Sequence, residues 1–451
     1  MNAFEKLDDK PLSRFHLLAM FTTGMGVFTD GYDLSSIGIV LPLCLASFGV
    51  AHISSVQAAL LTGSALVGSV IGAMLFGWLA QKGRKRYYGI DVAIMAAAAA
   101  AQAFAPNLWT LIAIRFVLGI GVGADYVLSP TIMAEHANRN DRGKKLAFGF
   151  GCMWGFGAIT ASLVLLLLEQ LGVSADLQWR IVLGFGTVPA LSVLTLRRNM
   201  PETARFLARV EGNSEKAREV IEGITGAPAE TTPVVDRRSW RELFSRHARG
   251  VLGAALLWMI YDIVLYSGVL FGPSVIAEGM HLSEVTFTLI AFALMQTPGG
   301  LLGVALIDRV GRRTLTTIGF ALTGVGLIGF APMMGGSAKA PVLSFIMFGL
   351  YNIALSMGPG AVSGAGLLGV ELAPTRIRSL AQAFTVVGGR IGAALAAFVF
   401  PALLGTIGAR SLMLVLAGVA LFGAAITFLV VPETARRSLE DINGDTDAAI
   451  S

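Results

Sequence analysis

A chain of 451 residues is long enough for two or three soluble domains, but 55% of it is hydrophobic and only 14% is charged. A soluble domain carries about 25% charged residues, so this composition excludes a water-facing surface, and the mean hydropathy of +0.71 points to a membrane. The net charge of +5 gathers in short clusters between apolar runs, which excludes a nucleic-acid-binding reading and fits basic loops held on one side of a bilayer.

A membrane span needs about 20 mostly apolar residues. Runs of that kind lie near 16–47, 56–80, 88–105, 108–133, 145–170 and 178–197. A polar stretch, 198–248, separates them from six more near 249–275, 285–307, 314–334, 341–368, 378–404 and 408–431. The first run is too long for a signal peptide and carries Asp30 and Asp33 in its middle, so it reads as the first span. Cys44 and Cys152 both sit in apolar runs, giving neither a disulfide framework nor metal-ligand spacing. No metal or cofactor is expected.

The loops sort by charge. One set holds Lys6, Lys10 and Arg14; Lys82, Arg84, Lys85 and Arg86; Arg139, Arg142, Lys144 and Lys145; the central stretch; Arg309, Arg312 and Arg313; Arg376 and Arg378; Arg436 and Arg437. The alternate set has almost no cations beyond Lys339 and Arg410. With an even number of spans, this asymmetry predicts a multi-pass protein of the cytoplasmic (inner) membrane with both termini in the cytoplasm.

The chain also repeats. Pro201-Glu202-Thr203-Ala204-Arg205 recurs as Pro432-Glu433-Thr434-Ala435-Arg436, Gly83-Arg84 matches Gly311-Arg312, and Glu135 with Arg142 matches Glu371 with Arg378. The expected organisation is an all-α membrane protein of twelve helices: an N-terminal six-helix half over 1–197, a cytoplasmic loop over 198–248, and a C-terminal half with a short tail over 249–451. Transporters built from such repeats hold their solute near the midplane between the halves.

Ionisable groups inside the bilayer cost several kcal/mol unless paired or wet, so each needs a reason. Asp30 and Asp33 are three residues apart and share a helix face. Two carboxylates so close resist double ionisation, which suits a proton carrier. Arg115 is the expected counter-ion; the alternative is a buried ion pair that only fixes packing. Trp258, Asp262 and Tyr266, spaced four and four, form one stripe that reads as solute-binding, against a packing stripe with a stray acid. Gly119, Gly121 and Gly123 follow Arg115 inside a span, where small residues mean close helix packing rather than a dinucleotide loop. Arg84, Glu135, Arg142, Asp308, Arg312, Glu371 and Arg378, at matching turns of both halves, read either as a gate latch or as plain anchors of the span ends.

Together these residues resemble the major facilitator superfamily, and its phosphate:proton symporter and sugar-porter branches most. Thr29-Asp30-Gly31-Tyr32-Asp33, the run from Arg115 to Ser129 with Asp125 and Tyr126, the Trp258–Asp262–Tyr266 stripe, and Glu371 to Ser379 are similar to the symporter family's patterns. The resemblance implies that Asp30, Asp33 and Arg115 handle the proton and that Tyr126, Trp258, Asp262 and Tyr266 line the solute site, and Asp125, Trp154 and Arg390 are expected beside them. The chain departs from that family in three places: Trp154 stands for a span 5 glutamine, Gly360 for a span 10 asparagine, and Arg390 for a span 11 lysine. Gln81 is read as replacing the aspartate usual in the first gate turn, which would loosen that latch.

The expectation is a monomeric proton-coupled importer, in lipid, of a small polar solute: phosphate first, then an organic carboxylate or other oxyanion. A neutral sugar is the alternative, followed by export of a cationic or hydrophobic compound. A non-transporting sensor is a further class, disfavoured by the short polar tail after Arg437. An enzyme is not expected, because no nucleophile–base–orienter set can be picked out.

Overall fold

Apolar helices occupy every one of the twelve runs in the computed structural model, which describes residues 4–50, 53–228, 235–272, 277, 282–335 and 341–446. Lys339 lies outside the described residues. Six helices precede the central stretch: α1 (Arg14–Ser47), α2 (Ser55–Leu79), α3 (Ile90–Gln102), α4 (Leu108–His136), α5 (Arg142–Gln170) and α6 (Ala175–Asn199). After it come α7 (Trp240–Phe271), α8 (Glu284–Val310), α9 (Arg312–Phe330) and α10 (residues 341–371). The last helical segment, Arg378–Val430, is broken at Gly408 by a left-handed φ of 74°. Only a residue without a Cβ enters that region at little cost, so the break divides the segment into α11 (378–407) and α12 (409–430).

The chain is apolar outside and polar within. Leucine, isoleucine and phenylalanine side chains such as Leu18, Leu167, Ile318 and Phe428 are exposed around the belt, while Asp30, Asp33, Arg115, Asp125, Asp262 and Arg390 are all buried. A lipid solvent accepts the first set and forces the second inward.

Small residues set the close packing. A Cβ on Gly31 of α1 would overlap the carbonyl oxygen of Trp154 on α5, and one on Gly157 would overlap that of Phe28. These reciprocal contacts bring the backbones together and place Asp30 beside Trp154. Gly119 and Gly123 lie in the same way against the Ala65 and Ser69 carbonyls of α2, so the glycine run is a helix-packing surface.

Three helices widen into π-helical turns at the level of the centre: Ala147–Cys152 in α5, Ile290–Gln296 in α8 and Ser356–Gly364 in α10. In α10 the cause is visible, since Pro359 has no N–H for the ladder. Such turns gather at functional sites because they leave backbone groups unpaired and re-aim side chains.

Candidate functional site

A cavity with about 520 Å³ of empty space lies between the two halves, reached by side chains from α4, α5, α7, α8, α10 and α11. Tyr126, Trp154, Trp258, Asp262, Tyr266 and Arg390 all line it. The four-residue spacing on α7 carries Trp258, Asp262 and Tyr266 to one wall, and the π-helical turns bring Gly151, Gln296 and Gly360 to the others.

Arg390 organises the charges. Its Nη1 donates to the Tyr266 hydroxyl at 2.9 Å, and its guanidinium lies over the Tyr126 ring at 4.3 Å. Asp30 from α1 and Asp262 from α7 approach it at 3.5 and 4.0 Å. Asp30 Oδ2 also accepts from the Tyr126 hydroxyl at 2.9 Å and from the Trp154 indole at 3.1 Å. The Arg390 Nε and Nη2, Asp262 Oδ2, Thr297 Oγ1 and Asp30 Oδ1 are buried and have no hydrogen-bond partner among the described residues. A buried donor left unsatisfied costs about 1–3 kcal/mol, so the Nε–Nη2 edge of Arg390 is poised for a two-oxygen ligand.

Three expected site residues stand elsewhere. Arg115 makes no direct ion pair with Asp30 or Asp33 among the described residues, although it is the opposite charge that acts most on Asp33. Its Nε donates to the Leu61 carbonyl at 3.0 Å and its Nη1 to Gln102 at 3.2 Å, with no carboxylate within 4 Å among the described residues. Asp33 points away from the cavity onto α6, where a Cβ on Gly186 would meet its Oδ1 at 2.5 Å, and neither of its oxygens finds a hydrogen-bond donor among the described residues. Asp125 does not line the cavity. It turns into the first half and shares Arg197 Nη1 with Asp91, both at 2.5 Å, while Ser129 donates to it at 2.6 Å.

The seven latch residues come together at the basic end. Glu135 takes Arg84 at 3.2 Å and, across the halves, Arg378 at 2.9 Å; Glu371 takes Arg312 at 3.2 Å and, across the halves, Arg142 at 2.7 Å. Thr203 caps Glu135, and Thr434 caps Glu371 at 2.5 Å, which gives the repeated Pro-Glu-Thr motif its use. Glu202 and Glu433 hold the turns, accepting from the backbone N–H of Lys85 and of Arg312. Asp308 bonds Arg312, four residues on, at 2.7 Å. Four residues before Arg84 stands Ala80, whose carbonyl takes Arg84 at 3.2 Å. The aspartate absent from the first turn is therefore replaced by Ala80 and not by Gln81, which instead reaches Ser379 of the other half at 3.4 Å.

A second clamp lies outside the spans. Arg205 donates to Asp8 at 2.7 Å and to Glu440 at 2.8 Å. Burial pushes the Asp8 carboxyl up to about 6 although Arg205 opposes it. Burial also opposes ionisation of Glu440, but Arg205 outweighs it there and holds that carboxyl down at about 2.

Comparisons with known proteins give the family and the fold. The family model described as "Sugar (and other) transporter" matches residues 19–445. This chain belongs to that family. A probable inorganic phosphate transporter 1-6 of Arabidopsis thaliana is 31% identical over 98% of the chain and 96% of its own length. A low affinity inorganic phosphate transporter 4 of Medicago truncatula is 32% identical over 99% and 94%. Among solved structures, a major facilitator proton:xylose symporter bound to 6-bromo-6-deoxy-D-glucose superposes with a TM-score of 0.82 at 20% identity, covering 95% of this chain and 98% of that one. An inward open conformation of the xylose transporter from E. coli gives 0.68 at 21% identity, over 96% and 99%. These two show the fold.

Within this sugar (and other) transporter family member, the two departures besides Arg390 acquire places. Trp154 spends its one N–H on Asp30. Beside Gly360 the ring of Tyr261 fills the space, its hydroxyl 3.2 Å from where a Cβ would sit. Tyr261, Gln296 and Thr297 line the cavity and were not found from the sequence. Tyr261 directly precedes Asp262, and only its neighbourhood to the stripe could have pointed to it.

Proposed function

We propose that this transporter imports a small oxyanion, inorganic phosphate first, together with protons, and that it works as a monomer in the cytoplasmic membrane with its basic loops and termini in the cytoplasm. The observation that carries this reading is the Nε–Nη2 edge of Arg390, which has no hydrogen bond among the described residues and only the Asp30 carboxylate 3.5 Å from Nη2, beside a buried cavity between the halves. Relatives named as inorganic phosphate transporters support the choice of anion. Residues 1–197 and 249–451 are the two bodies that rock about the cavity, joined by 198–248.

Charge explains the coupling. Arg390 faces two carboxylates, Asp30 and Asp262, so the unprotonated cavity is net negative. An anion entering it would be a further buried charge without compensation, which is costly. A proton on Asp30, whose Oδ1 is free to take it, releases Arg390 to the anion. Asp30 is the proton carrier, Asp33 and Arg115 tune it from behind the cavity wall, and Tyr126, Tyr266 and Asp262 orient the solute. Trp154 and Trp258 close the sides. The five latch carboxylate–arginine contacts at the basic end hold the closed state during loading.

The test is uptake of labelled phosphate into proteoliposomes under an imposed inward proton gradient, with sulfate, small carboxylates and sugars as competitors. Gradient-driven uptake blocked only by phosphate-like anions is expected. Uptake of a sugar with no phosphate accumulation would refute the anion reading and turn the aromatic walls of Trp154, Trp258 and Tyr261 into a sugar site.

A further inference from the structure

The basic end carries a second concavity, far from the central cavity and facing the bilayer. It lies between the start of α3 and the end of α6 and, counting the space open to the outside, spans about 960 Å³. Helix α3 has 13 residues, about 20 Å at 1.5 Å per residue, against a hydrocarbon thickness of about 30 Å. It is therefore shorter than that layer, and its first residue is preceded by a tight turn at Lys85–Tyr87 and Gly89, whose φ is 105°. The recess lies beneath that turn.

Its floor is one face of α3. Ile90, Ala93, Ile94 and Ala97 follow the i, i+3, i+4, i+7 pattern, and all four are exposed or half-buried. The two alanines make the floor a furrow. Its rim is cationic: Lys85 and Arg86 come from the turn and Arg198 from the end of α6, which packs against Gly89 at 3.6 Å from where its Cβ would sit. All three side chains are exposed, and none has a carboxylate within 4 Å among the described residues. Glu202, which borders a neighbouring hollow with Lys85, Glu211 and Glu219, accepts from the backbone N–H of Lys85. Exposed Trp78, with Lys82 4.6 Å from its ring, marks this level as the interface of headgroups and tails.

We propose that this recess binds an anionic phospholipid, with the headgroup phosphate on Lys85, Arg86 and Arg198 and one acyl chain along the Ile90–Ala97 face of α3. The occupant follows from complementarity. An apolar furrow opening to the bilayer takes a chain, and three unpaired cations at its mouth take a negative headgroup. A soluble anion would use the rim and leave the furrow unfilled. The site has a consequence for gating, because Arg84, which bonds Glu135 and the Thr375 carbonyl of the other half, sits one residue from Lys85. A bound headgroup braces that turn and favours the closed basic end.

The experiment uses the purified full chain, stripped of lipid in detergent, and follows its melting temperature with added phosphatidylglycerol, phosphatidylcholine of the same chains, or glycerol phosphate. Phosphatidylglycerol is expected to raise the melting temperature by several degrees, with little effect from the other two. The Lys85→Gln, Arg86→Gln, Arg198→Gln triple variant and the furrow-filling Ala97→Trp variant should each lose most of that rise, whereas Arg390→Ala should keep it. Equal shifts from both phospholipids, a full shift from glycerol phosphate, or a shift that survives in the triple variant and Ala97→Trp would overturn the proposal. None of these readouts depends on which solute is transported.

Discussion

Replacing Glu135 by glutamine removes one negative charge that two buried arginines share. Arg84 belongs to the same half as Glu135 and stays with it when the basic end opens, while Arg378 belongs to the other half and leaves. The part of the latch lost on opening that this substitution weakens is therefore the 2.9 Å Arg378 contact. A hydrogen bond to a charged group is worth about 1.5–3 kcal/mol, and each 1.4 kcal/mol is about a factor of ten. Glu135→Gln should thus raise the open-to-closed ratio at the basic end by about 10- to 150-fold, and Glu371→Gln, acting on the symmetric Arg142 contact, should do the same. Spin labels at Arg139 and Arg309, one on each half, report that ratio as the share of long distances in a pulsed dipolar measurement with Cys44 and Cys152 replaced. A distance distribution identical to that of the unsubstituted latch, in a variant that folds, would show that these contacts merely anchor the span ends.

Other substitutions test the cavity and the packing. Asp30→Asn should abolish proton-driven accumulation of the solute while leaving exchange across the membrane; unaltered uphill uptake would remove Asp30 from the proton path. Arg390→Ala should lower anion uptake at least about 10-fold, the scale of losing one or two charge-assisted bonds of ~1.5–3 kcal/mol each, and Arg390→Lys should recover part of it; a normal rate in the alanine variant would make the arginine structural. Gly31→Ala should cost about 1–3 kcal/mol or more by overpacking and lower the yield of folded protein, because its Cβ overlaps the Trp154 backbone; a normal melting temperature would refute that. For Asp8, whose carboxyl is raised to about 6, stability is fully present below the unfolded value of 3.8 and is lost as pH rises through 6. Asp8→Asn should therefore gain on the parent chain in melting temperature between about pH 4 and 7, and parallel curves would contradict the assigned cause.

Much of this site could be read before any coordinates, for reasons that differ residue by residue. The Trp258, Asp262 and Tyr266 stripe was legible because a four-residue spacing fixes a face whatever the neighbours are. The latch was legible through the repeat, which singles out pairs of residues at matching places. What the sequence does not carry is the identity of the facing helix. Arg115 lies on α4 at about the right depth to meet Asp33, yet it turns to the Leu61 carbonyl and Gln102. Asp125 and Tyr126 are adjacent, so they point about 100° apart; one enters the cavity and the other leaves it for Arg197. That arginine sits at the end of α6 among basic residues and looks like a loop cation, although it is buried between two aspartates. The gate-turn aspartate was misplaced by one residue although the match of Gly83-Arg84 with Gly311-Arg312 already sets Asp308 against Ala80, a register that the i, i+4 contacts of Arg312 with Asp308 and of Arg84 with the Ala80 carbonyl repeat.

The π-helical turns in α5, α8 and α10 make the cavity depend on counting as well as on chemistry. Each turn holds a surplus residue relative to a regular helix, and everything beyond it is rotated by about 100° from where an unbroken helix would put it. Trp154 lies just after one such turn and Thr297 just after another, so their aim is set by the length of the preceding segment. Gain or loss of a single codon at these places would redraw the inner surface of the transporter, and in α8 and α10 it would also turn Asp308 and Glu371, which lie beyond the π-helical turns. Changes in length, and not only in residue type, are thus a route by which one scaffold comes to carry different cargo.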